Sequence, residues 1–374
     1  MKNHLYKLKM AICWEALFLF AFDSNIGKEE GYYITMKEFI FLLKNGNRSA
    51  LLAALVNTII SIIKGFAFFL SGNVAMFAET MHSLGDAANQ FFVFIGSALS
   101  KKAPTKRFPG GFGRLVNVVL LFAVLIVGIM AYETIREGID HVIRPQESTG
   151  FFLIIIVLSI SVSLEFIVLI KAMKEIVTNA GLKTKGWKLL TTSFAYLKSA
   201  KPATKLVFLE DSVATAGGLL AILAVVISEY TNFKQAEGIA SIIIGIFMFI
   251  IVGRVFLDNA AGAIGEADLE MQGVIGNIAM KDPDVRDIQG LAVYKEGEDF
   301  HVELSIEIDS KLTVEQADNI RQRIEKQIFT EKGVSDIIIE FDKDDGILNW
   351  PHSIHKYEKR KKILEKHSSW KNVD

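Results

Sequence analysis

The run from Met76 to Asp86 sets Glu79, His82 and Asp86 at i, i+3 and i+7 in otherwise apolar surroundings. On a helix all three fall on one stripe, and His82 and Asp86, four residues apart, can grip the same ion. A neutral imidazole beside a carboxylate suits a divalent transition metal. Ionisable groups at membrane depth are costly, and they mark ion or proton pathways. A second acidic pair, Glu210 and Asp211, follows the apolar run Leu206 to Leu209. Neighbouring residues point ~100° apart around a helix, so only one of the pair can be well aimed. Asp211 is the expected ligand, and Glu210 an alternate ligand or a group behind it. Glu79, Asn57 and Glu165 are expected to stand behind the ligands. The blander alternative is that His82 and Asp86 only pair with each other and staple two helices. The second acidic pair and Glu79 weigh against it.

The elements that must position these groups are membrane spans. The 374-residue chain is 51% hydrophobic, and its apolar residues cluster between about 48 and 258 in runs of roughly 20, the length that crosses ~30 Å of hydrocarbon. Six spans are expected, at about 48–70, 74–99, 114–138, 150–173, 205–229 and 236–258. Pro104, Pro109, Gly110 and Gly111 break the chain before the third, and Pro145 before the fourth. Lys101, Lys102, Lys106, Arg107 and Arg114 load the loop after the second span. Lys171, Lys174, Lys183, Lys185, Lys188, Lys198, Lys201 and Lys205 load the loop after the fourth. By the positive-inside rule both loops are cytoplasmic, and an even number of spans puts both termini there too. These lysines are an orientation signal, not a nucleic-acid site. Lys64, inside the first span, is expected to pair with a carboxylate or to snorkel. A single cysteine, Cys13, excludes an internal disulfide.

Residues 1–35 carry a basic start and an apolar stretch from Ala11 to Phe22, like a signal sequence, but Glu15 interrupts it and no convincing cleavage site follows. The favoured reading is an extension upstream of a start at Met36. The domains are then 36–258, a transmembrane domain; 259–346, a soluble α+β domain; and 347–374, a basic tail. In the soluble part Val274–Met280 suits a helix, Val285–Tyr294 and Phe300–Asp309 strands, Thr313–Phe329 a helix capped by Thr313, and Val334–Phe341 a strand. That order is a truncated ferredoxin-like layer. From Asp268 to Asp345 roughly 20 carboxylates face about 9 Lys and Arg, so the domain is acidic. His301 reads as an ordinary strand residue. His352 and His355 form a weak His-x-x-His in the tail.

These residues carry a family resemblance. His82 and Asp86 within Ser71–Asn89 resemble the second-span His-x-x-x-Asp metal pair of the cation diffusion facilitators. Phe108-Pro109-Gly110-Gly111-Phe112-Gly113-Arg114 is similar to their His-Pro-aromatic-Gly-x-x-Arg loop, with Phe108 in place of the His. Leu209 to Ser212, followed by Gly217, looks like the branch of the mitochondrial zinc exporter and its bacterial relatives. The resemblance covers about residues 45–345. It implies a proton-coupled divalent-metal antiporter, not an enzyme, with a homodimer-forming cytoplasmic domain, no prosthetic group and a bacterial plasma-membrane location. The family commonly repeats His-x-x-x-Asp in the fifth span. Here Val207 stands where that His would be, leaving one imidazole and an excess of carboxylates. Harder oxygen ligands favour manganese, iron(II) or cobalt more than a two-His site would, while the resemblance keeps zinc (Zn2+) first. An intramembrane metalloenzyme would need a His-Glu-x-x-His or similar motif, and a passive channel would need repeated polar rings. The chain shows neither. A non-transporting metal sensor or scaffold is the remaining alternative.

Overall fold

The computed structural model describes residues 36–180, 182, 184, 186–197, 202–296 and 299–350. The expectations for residues 1–35, for four of the loop lysines (Lys183, Lys185, Lys198, Lys201) and for the tail from 351, with His352 and His355, lie outside them. Two compact units divide the chain: residues 47–95 with 119–259, and residues 1–46, 96–118 and 260–374. In chain order the helices are α1 (Met36–Lys44), α2 (Arg48–Ser71), α3 (Val74–Leu99), α4 (Leu115–Ile143), α5 (Phe151–Asn179), α6 (Trp187–Ala195), α7 (Pro202–Tyr230) and α8 (Ala236–Ile264). There follow α9 (Leu269–Ala279), β1 (Asp287–Glu296), β2 (Asp299–Ile308), α10 (Val314–Ile328) and β3 (Val334–Lys343).

Among the described residues, five helices are long and apolar enough to cross a membrane: Arg48–Ser71, Leu115–Ile143, Phe151–Thr178, Phe208–Tyr230 and Ala236–Ile264. The 26 residues of α3 fall outside that set because Glu79, His82 and Asp86 interrupt their apolar character. Two of those groups, Glu79 and His82, are withdrawn from the helix surface, while Asp86 stays half-exposed. From Val74 to Ser83 nearly every residue of α3 is buried, whereas α2 exposes Leu52, Leu55, Ile59, Ile62, Phe66 and Phe69. Exposed apolar surface on that scale belongs in lipid, and a charged helix belongs behind it.

Local chemistry fixes the turn between α2 and α3. Gly72, at φ 68°, ends α2 in the left-handed conformation with its N–H donating to the Phe68 carbonyl. The Asn73 Oδ1 then accepts from the Met76 N–H at 2.9 Å and caps α3. Helix contacts rely on small side chains: Ala67, Ala75, Ala78, Ala131, Ala221, Ala224 and Ala240 recur in the core with Met76, Ile154, Leu158 and Ile244. At the α4–α8 contact, a Cβ on Gly138 would come within 2.7 Å of the Gly238 carbonyl oxygen, and one on Gly238 within 2.7 Å of the Gly138 oxygen. The helices outrun the expected spans, α5 reaching Asn179 and α8 Ile264. Periodicity carries a helix beyond the hydrocarbon, where hydropathy alone stops. The short α6 was not foreseen; its Leu189 packs with Met173, Ile176 and Phe208.

In the other unit β1 and β2 pair antiparallel and β2 and β3 parallel, the parallel pair being bridged by α10. Ile275 and Ala279 of α9 and Ile320, Ile324 and Ile328 of α10 cover one face, against Ile288, Leu291, Val293, Val302, Leu304 and Ile306. This is a small α/β domain. Thr313 and Gln316 form a capping box that starts α10, as the sequence leads one to expect. Arg323 grips the buried Asp282 through two nitrogens at 3.0 and 2.9 Å, and this bidentate pair holds the Asp282 carboxyl below the usual range. Burial, with acidic neighbours Asp345, Asp287 and Asp344, pushes Glu307 up.

Candidate metal site

Helix α3 presents His82 and Asp86 together. Their Nε2 and Oδ2 atoms are 3.7 Å apart, with His82 8% and Asp86 50% exposed. Among the described residues, His82 Nε2 is buried and has no hydrogen-bond partner, and on α7 the Oδ2 of Asp211 is likewise buried and unpartnered. Buried polar atoms are almost always satisfied in native structures, so such orphans ask for a reason. The carboxylates of Glu210 and Asp211 both lie within electrostatic reach of Asp86; Glu210 also reaches His82, and Asp211 reaches Glu165. Two helices thus bring imidazole and acid to one region. Among the described residues, no three or more His, Cys, Asp or Glu groups are placed so as to hold a metal ion. What the two helices present is two buried polar atoms without hydrogen-bond partners among the described residues, His82 Nε2 and Asp211 Oδ2, and the partly open carboxylate of Asp86.

Behind His82 lies a denser cluster. Lys64 of α2, 1% exposed, donates to Glu79 Oε2 at 2.8 Å and to Glu165 Oε1 at 3.3 Å. Ser161 Oγ donates to the same Glu165 oxygen at 3.0 Å. Lys64 therefore takes the pairing expected of it, bridging three helices. Asn57 is half-buried on α2, and among the described residues no hydrogen bond joins it to this cluster. Asp258 lies exposed beside Arg254, at 4.0 Å.

A further polar group was not foreseen. Ser148 donates to Glu237 Oε1 at 2.9 Å, Asn73 Nδ2 reaches Ser148 at 3.3 Å, and His141 Nε2 lies 3.2 Å from the Lys234 carbonyl oxygen. Glu237 is 1% exposed. The available signal was the placement of His141 and Glu237 at span ends, which reads in a sequence as ordinary loop charge.

A family profile described as "Cation efflux transmembrane domain" matches residues 50–261, and one described as "Cation efflux protein, cytoplasmic domain" matches 267–344. Among curated relatives, the mouse "Proton-coupled zinc antiporter SLC30A9, mitochondrial" is 24% identical over 66% of this chain and 43% of its own length. The "Magnetosome protein MamM" of Magnetospirillum gryphiswaldense is 26% identical over 73% of this chain and 80% of its own. The "Cation-efflux pump FieF" of Cronobacter sakazakii is 23% identical over 79% and 92%. The chain spans less than half the length of the SLC30A9 relatives it matches. A solved zinc form of the MamM C-terminal domain is 22% identical over 21% of this chain and 86% of that one, with a TM-score of 0.20.

Proposed function

The chain belongs to the cation efflux family, and from that premise we propose that it exports divalent metal cations in exchange for protons, with zinc as the leading cargo. In this reading α3 is a sixth span, the termini are cytoplasmic in a bacterial plasma membrane, and the ferredoxin-like domain joins two chains as a homodimer. The observation that carries it is the pair of orphaned, buried atoms, His82 Nε2 and Asp211 Oδ2, on helices whose carboxylates sense one another. His82, Asp86 and Asp211 ligate the cargo, with Glu210 an alternate ligand. The set closes when the ion arrives, because a dication outweighs the repulsion that keeps bare carboxylates apart.

Proton coupling follows from ligand chemistry. Imidazole and carboxylate bind metal only when deprotonated, so loading the ion releases protons and protonation releases the ion. An imidazole titrates near physiological pH in its unperturbed state, which suits His82 to that exchange. With one imidazole among acids, manganese, iron(II) and cobalt are the competing cargoes. A non-transporting metal sensor or scaffold is the second reading, favoured by the finding that among the described residues no three ligand groups are placed to hold an ion. Proteoliposomes with an imposed pH gradient separate the two. Saturable zinc uptake with counterflow of protons, lost in His82→Ala, is expected; zinc binding with no flux leaves the sensor.

A further inference from the structure

Lys64 is the largest fully buried side chain of the described residues, and its partners are acids the metal reading does not use as ligands. Along α3, Glu79 stands three residues from His82 and seven from Asp86, ~4.5 and ~10.5 Å along the axis. On α7, Gly217 and Gly218 stand seven residues beyond Glu210 and Asp211, the same two turns. A Cβ on Gly217 would come 3.2 Å from Glu79 Oε1, and one on Gly218 3.7 Å from Glu165 Oε2 and from Glu79 Oε2. Two acidic levels thus lie along α3: His82 and Asp86 with the Glu210–Asp211 pair of α7 at one, and Glu79 with Glu165 of α5, beside Gly217 and Gly218 of α7, at the other. At the second level one ammonium faces two carboxyl groups. Among the described residues, Glu79 Oε1 and Glu165 Oε2 are buried with no hydrogen-bond partner, beside helix positions that carry no side chain.

We infer that the Glu79–Glu165 level is a second divalent-cation site, held shut by Lys64, whose tethered ammonium occupies it in place of a free ion. This rests on the reading of the first level as the cargo site. Both carboxyls touch one nitrogen, so without it two acids face each other across a short gap, Glu79 fully buried and Glu165 mostly so. There, unlike charges attract strongly and like charges repel strongly. A dication is the ligand that answers two such acids. By filling the level with a monovalent cation of its own, the protein confines external metal to the His82–Asp86 level.

The test is the zinc stoichiometry of the purified full chain in detergent, measured by equilibrium dialysis with zinc alone. Lys64→Met is expected to bind one zinc more per chain than the wild type. Lys64→Arg keeps a tethered cation and is expected to keep the wild-type count. Lys64→Met combined with Glu79→Gln and Glu165→Gln is expected to lose the extra zinc. An unchanged count in Lys64→Met overturns the inference, as does an extra zinc that survives in the triple variant. Should Lys64→Met not fold, Lys64→Gln, which keeps a polar side chain without the charge, carries the same test: one extra zinc per chain supports the inference and an unchanged count overturns it. Failure of the first-level reading looks different: there Asp86→Ala retains the wild-type zinc, while the extra zinc of Lys64→Met still depends on Glu79 and Glu165.

Discussion

Asp86→Asn removes one charge from the proposed cargo site and keeps the side chain's shape. Asp86 Oδ2 lies 3.7 Å from the nitrogen that would hold the ion. At that distance two unit charges interact by about 1 kcal/mol in water and about 4 kcal/mol at an effective dielectric constant near 20. A dication doubles both figures. The half-exposure of Asp86 draws the answer to the aqueous end, since water screens the pair. The expected loss is therefore about 2–3 kcal/mol, or roughly 30- to 150-fold in zinc affinity at ~1.4 kcal/mol per decade. Competition of the purified protein against a fluorescent zinc chelator reads that range directly. Asp86→Glu, which restores the charge on a longer arm, should recover most of it. An Asp86→Asn protein within threefold of wild type in affinity would show that the carboxylate is not a ligand, whatever its neighbourhood.

Other consequences are smaller but equally exposed to measurement. Arg323→Gln strips a buried carboxylate of its bidentate partner and should weaken the α/β domain by about 1–3 kcal/mol, seen as faster hydrogen exchange in α9 and α10. Because Asp282 is held below its unfolded value, that contribution is complete above about pH 5 and fades as acid titrates the group, so wild type and variant should converge there. Glu307 is raised, so ionising it costs the folded state: Glu307→Gln should stabilise the domain at pH 7, with a gain that shrinks toward about pH 4, tracked by exchange in β2. Gly238→Ala places a methyl against the Gly138 carbonyl oxygen and the Val142 backbone nitrogen, neither able to rotate away, and should cost about 1–3 kcal/mol with a lower melting temperature.

Much of this was legible because membranes simplify the problem. Hydropathy and the breaks at Gly72, Pro109 and Pro145 located helices whose starts lie within a few residues of expectation. The i, i+3, i+7 stripe placed Glu79, His82 and Asp86 on one face without tertiary information. The alternation Val302, Leu304, Ile306, Ile308 gave β2 its core face, and all four are buried. What the sequence could not show was partner choice across helices. Nothing local says that Lys64 will meet Glu79, 15 residues on, and also Glu165, 101 residues away. Nor does a sequence reveal that Asp86 stays half open while His82 is sealed, because that depends on how far each helix is rotated in the bundle.

The mutual approach of Gly138 and Gly238 leaves no room for sliding. With each backbone resting on the other's carbonyl, and Gly245 set against Ile135 and the Ala131 oxygen one register along, α4 and α8 are locked like two faces of a dovetail. In the proposed exchange cycle, a motion that turns the site across the bilayer is expected to leave that joint intact and to move the helices that bear His82 and Asp211, so a cross-link between α4 and α8 should leave turnover untouched.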